Sequence, residues 1–118
     1  MHSGNDKERR VLAYLGFAAR ARKVVAGVPL LCQAMQRGGT YVPLVVLEAQ
    51  DTSVNTHKRV CDRTAFYGVP TFRLSLTAAE LAHTVGKRGG AVAAVGVTDT
   101  ELASAILALL AVGDGAES

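Results

Sequence analysis

The stretch Val24–Gly39, VVAGVPLLCQAMQRGG, sets the pattern for the whole chain. Two β-branched residues run into Gly27, and Pro29 follows two positions later. Proline suits the first turn of a helix because the N–H that it lacks would have no intrahelical acceptor there. An apolar stripe at helical spacing then continues to Gly38-Gly39, which ends the helix. We predict a short strand, a tight turn and a helix whose start offers free N–H groups, a natural phosphate site.

Helix and strand patterns alternate along the rest of the chain, and the strand candidates are short and apolar. The further predicted helices are Lys7–Arg22, Val54–Tyr67, one that opens with the capping box Thr77–Glu80 and runs to about Val85, and one after a second capping box, Thr98–Glu101. The further predicted strands are Leu44–Glu48, Thr71–Leu74 and Ala91–Val97. This order predicts an α/β fold, a three-layer α/β/α sandwich with a small mixed sheet.

Length and composition bound the class of protein. The chain has 118 residues, 49% of them apolar, enough for one domain with one core. We expect a single domain over residues 7–112, between flexible ends at 1–6 and 113–118. No apolar run approaches the roughly 18 residues of a membrane span, and the polar first residues do not resemble a secretory signal. A cytoplasmic protein is therefore expected, with no membrane partner.

The sequence shows no motif for catalysis or for metal binding. It has no phosphate-binding loop of the GxxxxGK[ST] type, no G-x-S-x-G elbow and no HExxH. His57 and Cys61 stand four residues apart and could bring two soft ligands together on one helix face. The sequence supplies no evident third ligand, so we interpret them as an ordinary helix face, and Asp51 as a helix cap. We therefore expect no catalytic residue, metal or cofactor, and no enzyme.

Charge is distributed unevenly along the chain. The net charge is +3; residues 1–23 hold six basic and two acidic residues, net +4, whereas residues 99–118 hold four acidic residues and no basic one. Such asymmetry indicates a basic face for an anionic partner, although basic side chains could also simply solvate helix surfaces. The candidate cations are Arg20, Lys23, Arg37, Lys87 and Arg88.

Several strings of residues carry a resemblance to a known family. They include Leu15–Lys23 (LGFAARARK), Leu44–Asp51 (LVVLEAQD), Asn55–Arg59 (NTHKR) and Tyr67–Pro70 (YGVP). In this order and spacing, from about Lys7 to Leu110, the chain resembles a bacterial stand-alone (YlxQ-type) member of the kink-turn-binding ribosomal protein superfamily, the L-seven-Ae / L-thirty-e group. The resemblance implies an α/β/α sandwich that binds structured RNA without catalysis. It also implies ribosomal or other kink-turn RNA as the partner, and association with the ribosome or the translation machinery.

The resemblance also implies where the RNA would be held. In the family, one contact region is the turn and helix start after the first strand, and the other is the loop between the fourth helix and the last strand. The corresponding residues here are Gly27, Val28, Pro29, Leu30 and Gln33 for the first, and Val85, Gly86, Lys87, Arg88 and Gly89 for the second.

The first region departs from the family's Gly-x-Asn-Glu motif and from the lysine one turn later. Pro29 replaces the asparagine, Leu30 the glutamate and Gln33 the lysine. A bidentate base contact contributes roughly 1–3 kcal/mol of discrimination, so losing two or three of them would erase kink-turn specificity. Contacts between basic side chains and phosphates would survive. We therefore predict RNA binding with relaxed specificity, and, because aromatic residues are scarce, no platform for stacking single strands.

Two alternatives remain open. The chain could be a protein-interaction module that kept the fold and lost RNA binding, with Pro29 and Leu30 as an apolar tip. A continuous positive face would favour RNA, and an apolar patch over Val28–Leu30 would favour a protein partner. The third interpretation, the substrate-recognition domain of an RNA ribose methyltransferase, would require a methyltransferase part that these residues do not contain.

Overall fold

Strands and helices alternate as the sequence predicts. The structure, a computed structural model, describes the backbone of residues 3–117 and the side chains of residues 6–111. The strands are β1 (Val24–Ala26), β2 (Val45–Glu48), β3 (Thr71–Arg73) and β4 (Ala94–Val97). The helices are α1 (Ser3–Arg20), α2 (Val28–Arg37), α3 (Val54–Tyr67), α4 (Ala78–Thr84) and α5 (Thr100–Glu117), with a 3-10 turn at Gly39–Tyr41. The predicted flexible ends fall almost wholly outside the described side chains and stay a prediction.

The four strands form one mixed sheet in the order β1-β4-β2-β3. The strand β4 is antiparallel to both of its neighbours, so that Gly96 lies opposite Val25 on one side and Val46 on the other. The strands β2 and β3 run parallel. The predicted mixed sheet is confirmed, with the last strand of the chain at its centre.

Side chains on β2 alternate between two cores, because successive residues of a strand point to opposite faces. Val45 and Leu47 belong to a cluster with buried residues of α1, α4 and α5. Val46 belongs to a second cluster with buried residues of α2 and α3. The sheet is therefore covered by helices on both faces, and the three-layer α/β/α sandwich is confirmed. None of the helices within the described residues is long and apolar enough to cross a membrane.

The helix α2 packs unusually closely on β4. A Cβ atom built on Gly96 would lie 2.7 Å from Cδ2 of Leu31 and 2.7 Å from Cβ and Cγ of Pro43. Only glycine fits there without a shift of its neighbours. The backbone N–H of Gly27 also donates to the carbonyl oxygen of Ala94, at 2.9 Å. These contacts fix the position of the turn and the start of α2 relative to the sheet.

The first capping box is confirmed at the start of α4. The backbone N–H of Thr77 donates to Oε1 of Glu80 at 2.8 Å, and the N–H of Glu80 donates to Oγ1 of Thr77 at 3.1 Å. Asp51 also acts as a cap, but of α4 and not of the helix that directly follows it, because its Oδ1 accepts the N–H of Ala78 at 2.8 Å, whereas Ser53 caps α3. The start of α4 is thus fixed both locally and from the end of β2.

The second predicted capping box, Thr98–Glu101, is wrong. Thr98 donates from its backbone N–H and from its hydroxyl to the carbonyl oxygen of Lys23, at 2.9 and 3.1 Å. It therefore continues the pairing between the ends of β4 and β1 and stands one residue before the cap of α5. Asp99 caps α5 instead, with Oδ2 accepting the N–H of Leu102 at 2.9 Å. The boundary between β4 and α5 is set by the pairing of Thr98 with Lys23 across the sheet, which the local sequence pattern does not show.

Candidate nucleic-acid interface

Parts of the two contact regions predicted from the sequence meet in one groove, whereas the predicted Gly27, Val28, Pro29 and Gly89 line neither this groove nor the one beside it. The groove has a volume of about 480 Å³ and lies between β1, the face of α2 from Leu30 to Arg37, and the loop after α4. Five of the predicted residues line it: Leu30, Gln33, Arg37, Val85 and Lys87. The residues of α2 and those of the loop after α4 are separated by about fifty positions in sequence. The central strand β4 brings the two regions together.

A second groove of about 350 Å³ adjoins the first and shares Ala19 and Val85 with it. Three further predicted residues, Arg20, Gly86 and Arg88, line this second groove. The predicted residues from the end of α1 and from the loop after α4 therefore face a common surface.

The two grooves together carry five cationic side chains, and none of their described lining residues is acidic. We call this surface the basic face. Its cations are Arg20, Arg22, Arg37, Lys87 and Arg88. In the part of the chain that the structure describes, the contacts between basic and acidic side chains within 4 Å are Glu48–His57 and Lys58–Asp62, so none of these five cations is neutralised by an acidic partner. The basic face is therefore available to an anionic ligand.

The start of α2 lacks a side-chain cap. Gly27 holds the N-cap position with φ 99° and ψ 145°, a conformation that favours glycine, and contributes no side-chain hydrogen bond. In the first turn, the N–H groups of Val28 and Leu30 have no intrahelical acceptor, and Pro29 has no N–H. Two backbone donors at the positive end of the helix dipole are thus left for an anion.

The side chains at this helix start differ from the prediction in one respect. Val28 is only 8% exposed and packs in the core against α3, so its side chain cannot contact a ligand, and only its N–H remains. The helical period turns it inward, because it lies on the same stripe as Leu31. Pro29 is exposed, and Leu30 is 49% exposed. The apolar tip therefore consists of Pro29 and Leu30 alone.

The loop after α4 is a hydrogen-bonded turn that directs two cations outward. Gly86 and Gly89 take positive φ values of 84° and 76°. The N–H of Lys87 donates to the carbonyl oxygen of Ala82 at 2.7 Å, which closes the helix end. Lys87 and Arg88 are both exposed. The loop can follow a phosphate backbone without first having to order.

The basic face includes an arginine and a tyrosine that were not predicted as site residues. Arg22 lines the first groove because its φ of 60° turns the chain between α1 and β1, whereas the predicted Lys23 is exposed but does not line either groove. Tyr41 also lines this groove, with its ring centroid 3.9 Å from the guanidinium carbon of Arg37. The 3-10 turn after Gly38 folds Tyr41 back, and no local pattern signals that contact.

One further cluster corrects an interpretation made from the sequence. Glu48, at the end of β2, is 1% exposed, and its carboxylate oxygens lie 2.7 and 2.9 Å from Nδ1 of His57. Cys61 lies one turn along α3 from His57, with Sγ 3.6 Å from Nε2. A third polar group therefore does accompany His57 and Cys61. Sequence reasoning missed this group because Glu48 is the last residue of an apolar strand and lies nine residues before His57.

Solved structures show which class of protein has this fold. A protein with unknown function from Bacillus halodurans C is 27% identical, with a TM-score of 0.73 over 84% of this chain and 94% of that one. The Giardia lamblia 15.5kD RNA binding protein has the same fold at 13% identity, with a TM-score of 0.69 over 89% of this chain and 91% of that one. The chain is thus a small α/β/α sandwich of the kind found in that protein.

Sequence relatives identify the family. The RNA-binding protein YlxQ of Bacillus subtilis (strain 168) is 36% identical over 96 residues, which cover 81% of this chain and 90% of that protein. The RNA-binding protein YlxQ of Enterococcus faecium is 32% identical over 87 residues, covering 74% and 79%. No family model matches the chain. The chain belongs to the YlxQ family, and the resemblance noted from the sequence is confirmed.

Proposed function

We propose that this protein binds structured RNA of the kink-turn kind through the basic face, without catalysis and with relaxed specificity. The observation that carries the proposal is the convergence of five cations, free of acidic neighbours, on two adjoining grooves. The names of the YlxQ relatives, which are called RNA-binding proteins, support RNA as the anionic partner. Ribosomal RNA in the cytoplasm is the target that we propose, with the protein acting near the translation machinery.

Affinity in this proposal comes from phosphate neutralisation. Each cation that pairs with a phosphate releases counterions, so that the logarithm of the association constant falls with the logarithm of salt concentration by about 0.7–0.9 per contact. If all five cations engage, the slope is about −4. The two N–H groups at the start of α2 that have no intrahelical acceptor add a further site for an anion. The ring of Tyr41 holds the Arg37 guanidinium over the groove.

Specificity in this proposal is weak because the base-reading groups are absent. Pro29 has neither an N–H nor a polar side chain, and the exposed side chain of Leu30 cannot accept or donate a hydrogen bond. Gln33 lines the groove and can hydrogen-bond, but it adds no charge. Contacts to phosphates position an RNA without reading its sequence. The protein would therefore recognise the shape and charge of a folded RNA more than its G·A pairs.

One observation favours a second candidate, a protein-interaction module. Pro29 and Leu30 form an exposed apolar tip beside the first groove. The burial of Val28 makes this tip smaller than the sequence predicted. Its neighbours in the groove include Arg22 and Arg37, which suit a charged ligand better than an apolar one. RNA is therefore the first candidate, and a protein partner is an outcome of the test.

The test is a fluorescence-anisotropy titration with a labelled kink-turn RNA at several salt concentrations. The control RNA has its G·A pairs replaced by Watson–Crick pairs. We expect salt-sensitive binding to both RNAs with similar affinity. Tight binding that disappears with the control RNA would refute relaxed specificity. Absence of binding to either RNA would refute RNA binding and leave the protein-interaction module.

Charge-reversal variants locate the surface. Arg37→Glu and Lys87→Glu should each weaken binding and reduce the salt slope by about 1. Arg59→Glu makes the same change of charge at an exposed position of α3, outside both grooves, and serves as the matched control. Equal losses in all three variants would mean that the overall charge, and not the basic face, binds the RNA.

A further inference from the structure

The cluster of Glu48, His57 and Cys61 brings together three chemically different ligand atoms. A carboxylate oxygen, an imidazole nitrogen and a thiol sulfur lie within 4.8 Å of one another. Glu48 is buried at 1% exposure, His57 is 39% exposed at its side chain, and Cys61 is exposed. The cluster therefore reaches from the core to the surface, with its open side at the cysteine. It shares no residue with the basic face.

The position of the thiol distinguishes this cluster from a nucleophile activated by a base. Sγ of Cys61 lies 3.6 Å from Nε2 and 3.9 Å from Nδ1 of His57, almost equally far from both nitrogens. A thiol that donates along the lone pair of Nε2 would lie much further from Nδ1. The in-line contact of a Cys-His-Glu triad is thus not formed. The three groups instead gather around the His57 ring, with their ligand atoms within 4.8 Å of one another.

The distances between the three groups lie near those between the ligands of one metal ion. Zinc binds carboxylate oxygen at about 2.0–2.2 Å, imidazole nitrogen at about 2.0–2.1 Å and thiolate sulfur at about 2.3 Å, in tetrahedral geometry. Two such ligand atoms are then about 3.4–3.6 Å apart. Here Nδ1 of His57 lies 2.7 and 2.9 Å from the oxygens of Glu48 and 3.9 Å from Sγ of Cys61. An ion would have to separate the carboxylate from Nδ1 by about 0.5–0.7 Å and draw Sγ about 0.3 Å closer to Nδ1.

We propose that Glu48, His57 and Cys61 bind a Zn²⁺ ion. One oxygen, one nitrogen and one sulfur suit a borderline metal such as zinc and do not suit Mg²⁺ or Ca²⁺, which prefer oxygen ligands alone. The exposed side of the cluster leaves the fourth position to water. On binding, the thiol proton of Cys61 is released to solvent. A proton on Nδ1 of His57 moves to Nε2 or to solvent, and the metal takes the place of the present contact between Nδ1 and the carboxylate.

The elements that carry the ligands are held in place before the metal binds. Glu48 ends a strand at the centre of the sheet, where β2 pairs with both β3 and β4. His57 and Cys61 lie on successive turns of α3, whose first turn is capped by Ser53 through a hydrogen bond from the N–H of Thr56 at 3.2 Å. A bound ion would join α3 to β2. It would therefore raise the melting temperature by mass action, because the unfolded chain separates the ligands.

The experiment is a titration of the reduced, metal-free, full-length protein with Co²⁺ and then with Zn²⁺. Cobalt replaces zinc and reports its ligands by absorption, with a sulfur-to-cobalt charge-transfer band and strong visible bands for a tetrahedral site. We expect both bands, one ion per protein, displacement of cobalt by zinc and a higher melting temperature. Absence of the bands, with no change in melting temperature, would refute the site.

Single variants test each ligand. Cys61→Ser should abolish the charge-transfer band, and His57→Asn should weaken zinc binding by at least about ten-fold. Glu48→Gln keeps a hydrogen-bond acceptor for His57 and so is expected to fold, but it should weaken zinc binding similarly. If that variant does not fold, the two surface variants still decide the question.

Matched controls remove a histidine and a cysteine elsewhere. His83→Asn changes an exposed histidine of α4, and Cys32→Ala changes the buried cysteine of α2. Both variants should retain the cobalt spectrum of the wild type. A spectrum lost in either control but retained in Cys61→Ser would place the metal elsewhere and overturn the proposal. RNA binding and zinc binding are measured separately, so the failure of one does not affect the other.

Discussion

The close approach of α2 to β4 can be tested by adding one methyl group. In Gly96→Ala, the new Cβ would lie 2.7 Å from atoms of Leu31 and of Pro43. The side chains of both neighbours are almost completely buried. The ring of Pro43 cannot rotate away, and Leu31 is held by the packing of α2 on the sheet. Relief of the overlap therefore requires a shift of the helix away from the strand.

The expected cost follows from the number of overlapping atoms. Overpacking a close-packed core costs typically about 1–3 kcal/mol. Three atoms from two rigid neighbours overlap with the added methyl group, so we expect the upper part of that range, about 2–3 kcal/mol in the free energy of unfolding. For a domain of this size, 1 kcal/mol corresponds to about 4 °C in melting temperature, which gives a decrease of about 8–12 °C.

The assay is urea unfolding followed by circular dichroism, with the wild type and one control glycine variant. In Gly16→Ala, the new Cβ would lie 3.8 Å from Nη1 of Arg20, an ordinary contact inside α1. Alanine is the better helix former, so this variant should gain up to about 1 kcal/mol. A Gly96→Ala protein that unfolds within about 0.5 kcal/mol of the wild type, with unchanged m-value, would refute the close packing of α2. The position of α2, which contributes Leu30, Gln33 and Arg37 to the basic face, would then also be in error.

Three further changes have defined outcomes. Thr77→Ala removes the side-chain cap of α4 and should lower the free energy of unfolding by about 1 kcal/mol in urea denaturation, and no measurable loss would show that Glu80 alone suffices. Gln33→Lys adds a cation to the first groove and should steepen the salt slope of RNA binding by about 0.7–0.9; an unchanged slope would place Gln33 outside the interface. His57→Ala leaves the buried carboxylate of Glu48 without its partner and should lower the free energy of unfolding by about 1–3 kcal/mol; a more stable variant in the same assay would contradict that pairing.

Local signals in the sequence predicted most of the fold. The strand, turn and helix of Val24–Gly39 formed as expected, because glycine allows the positive φ that Gly27 and Gly38 adopt and proline fixes φ at a value that suits the first turn of a helix. The capping box at Thr77 also formed, since both of its partners lie within four residues. The boundaries moved where pairing across the sheet decides them. The predicted strand Ala91–Val97 shortened to Ala94–Val97, the residues that lie opposite β2.

Long-range contacts explain what the sequence did not reveal. Thr98 donates to the carbonyl oxygen of Lys23, which lies 75 positions earlier in the sequence. The residues Thr98–Glu101 match the pattern of a capping box, but that pattern contains no information about this distant partner. Glu48 appeared as the polar end of an apolar run, and its burial beside His57 depends on which face of β2 is covered by α3. The basic face was predicted in part, because charge is visible in a sequence. Tyr41 belongs to the basic face because of the 3-10 turn at Gly39–Tyr41, which no local pattern predicts.

The position of β4 has a consequence for the order in which the chain folds during synthesis. This strand pairs with β1 and β2, yet it is made after both of them. A nascent chain that stops before Ala94 leaves β1 without any neighbouring strand and leaves one edge of β2 open. Such unpaired edges bind other chains and attract chaperones and proteases. Co-translational folding of the sheet must therefore wait for Val97, and prematurely ended products are expected to be degraded rather than to accumulate as partly active domains.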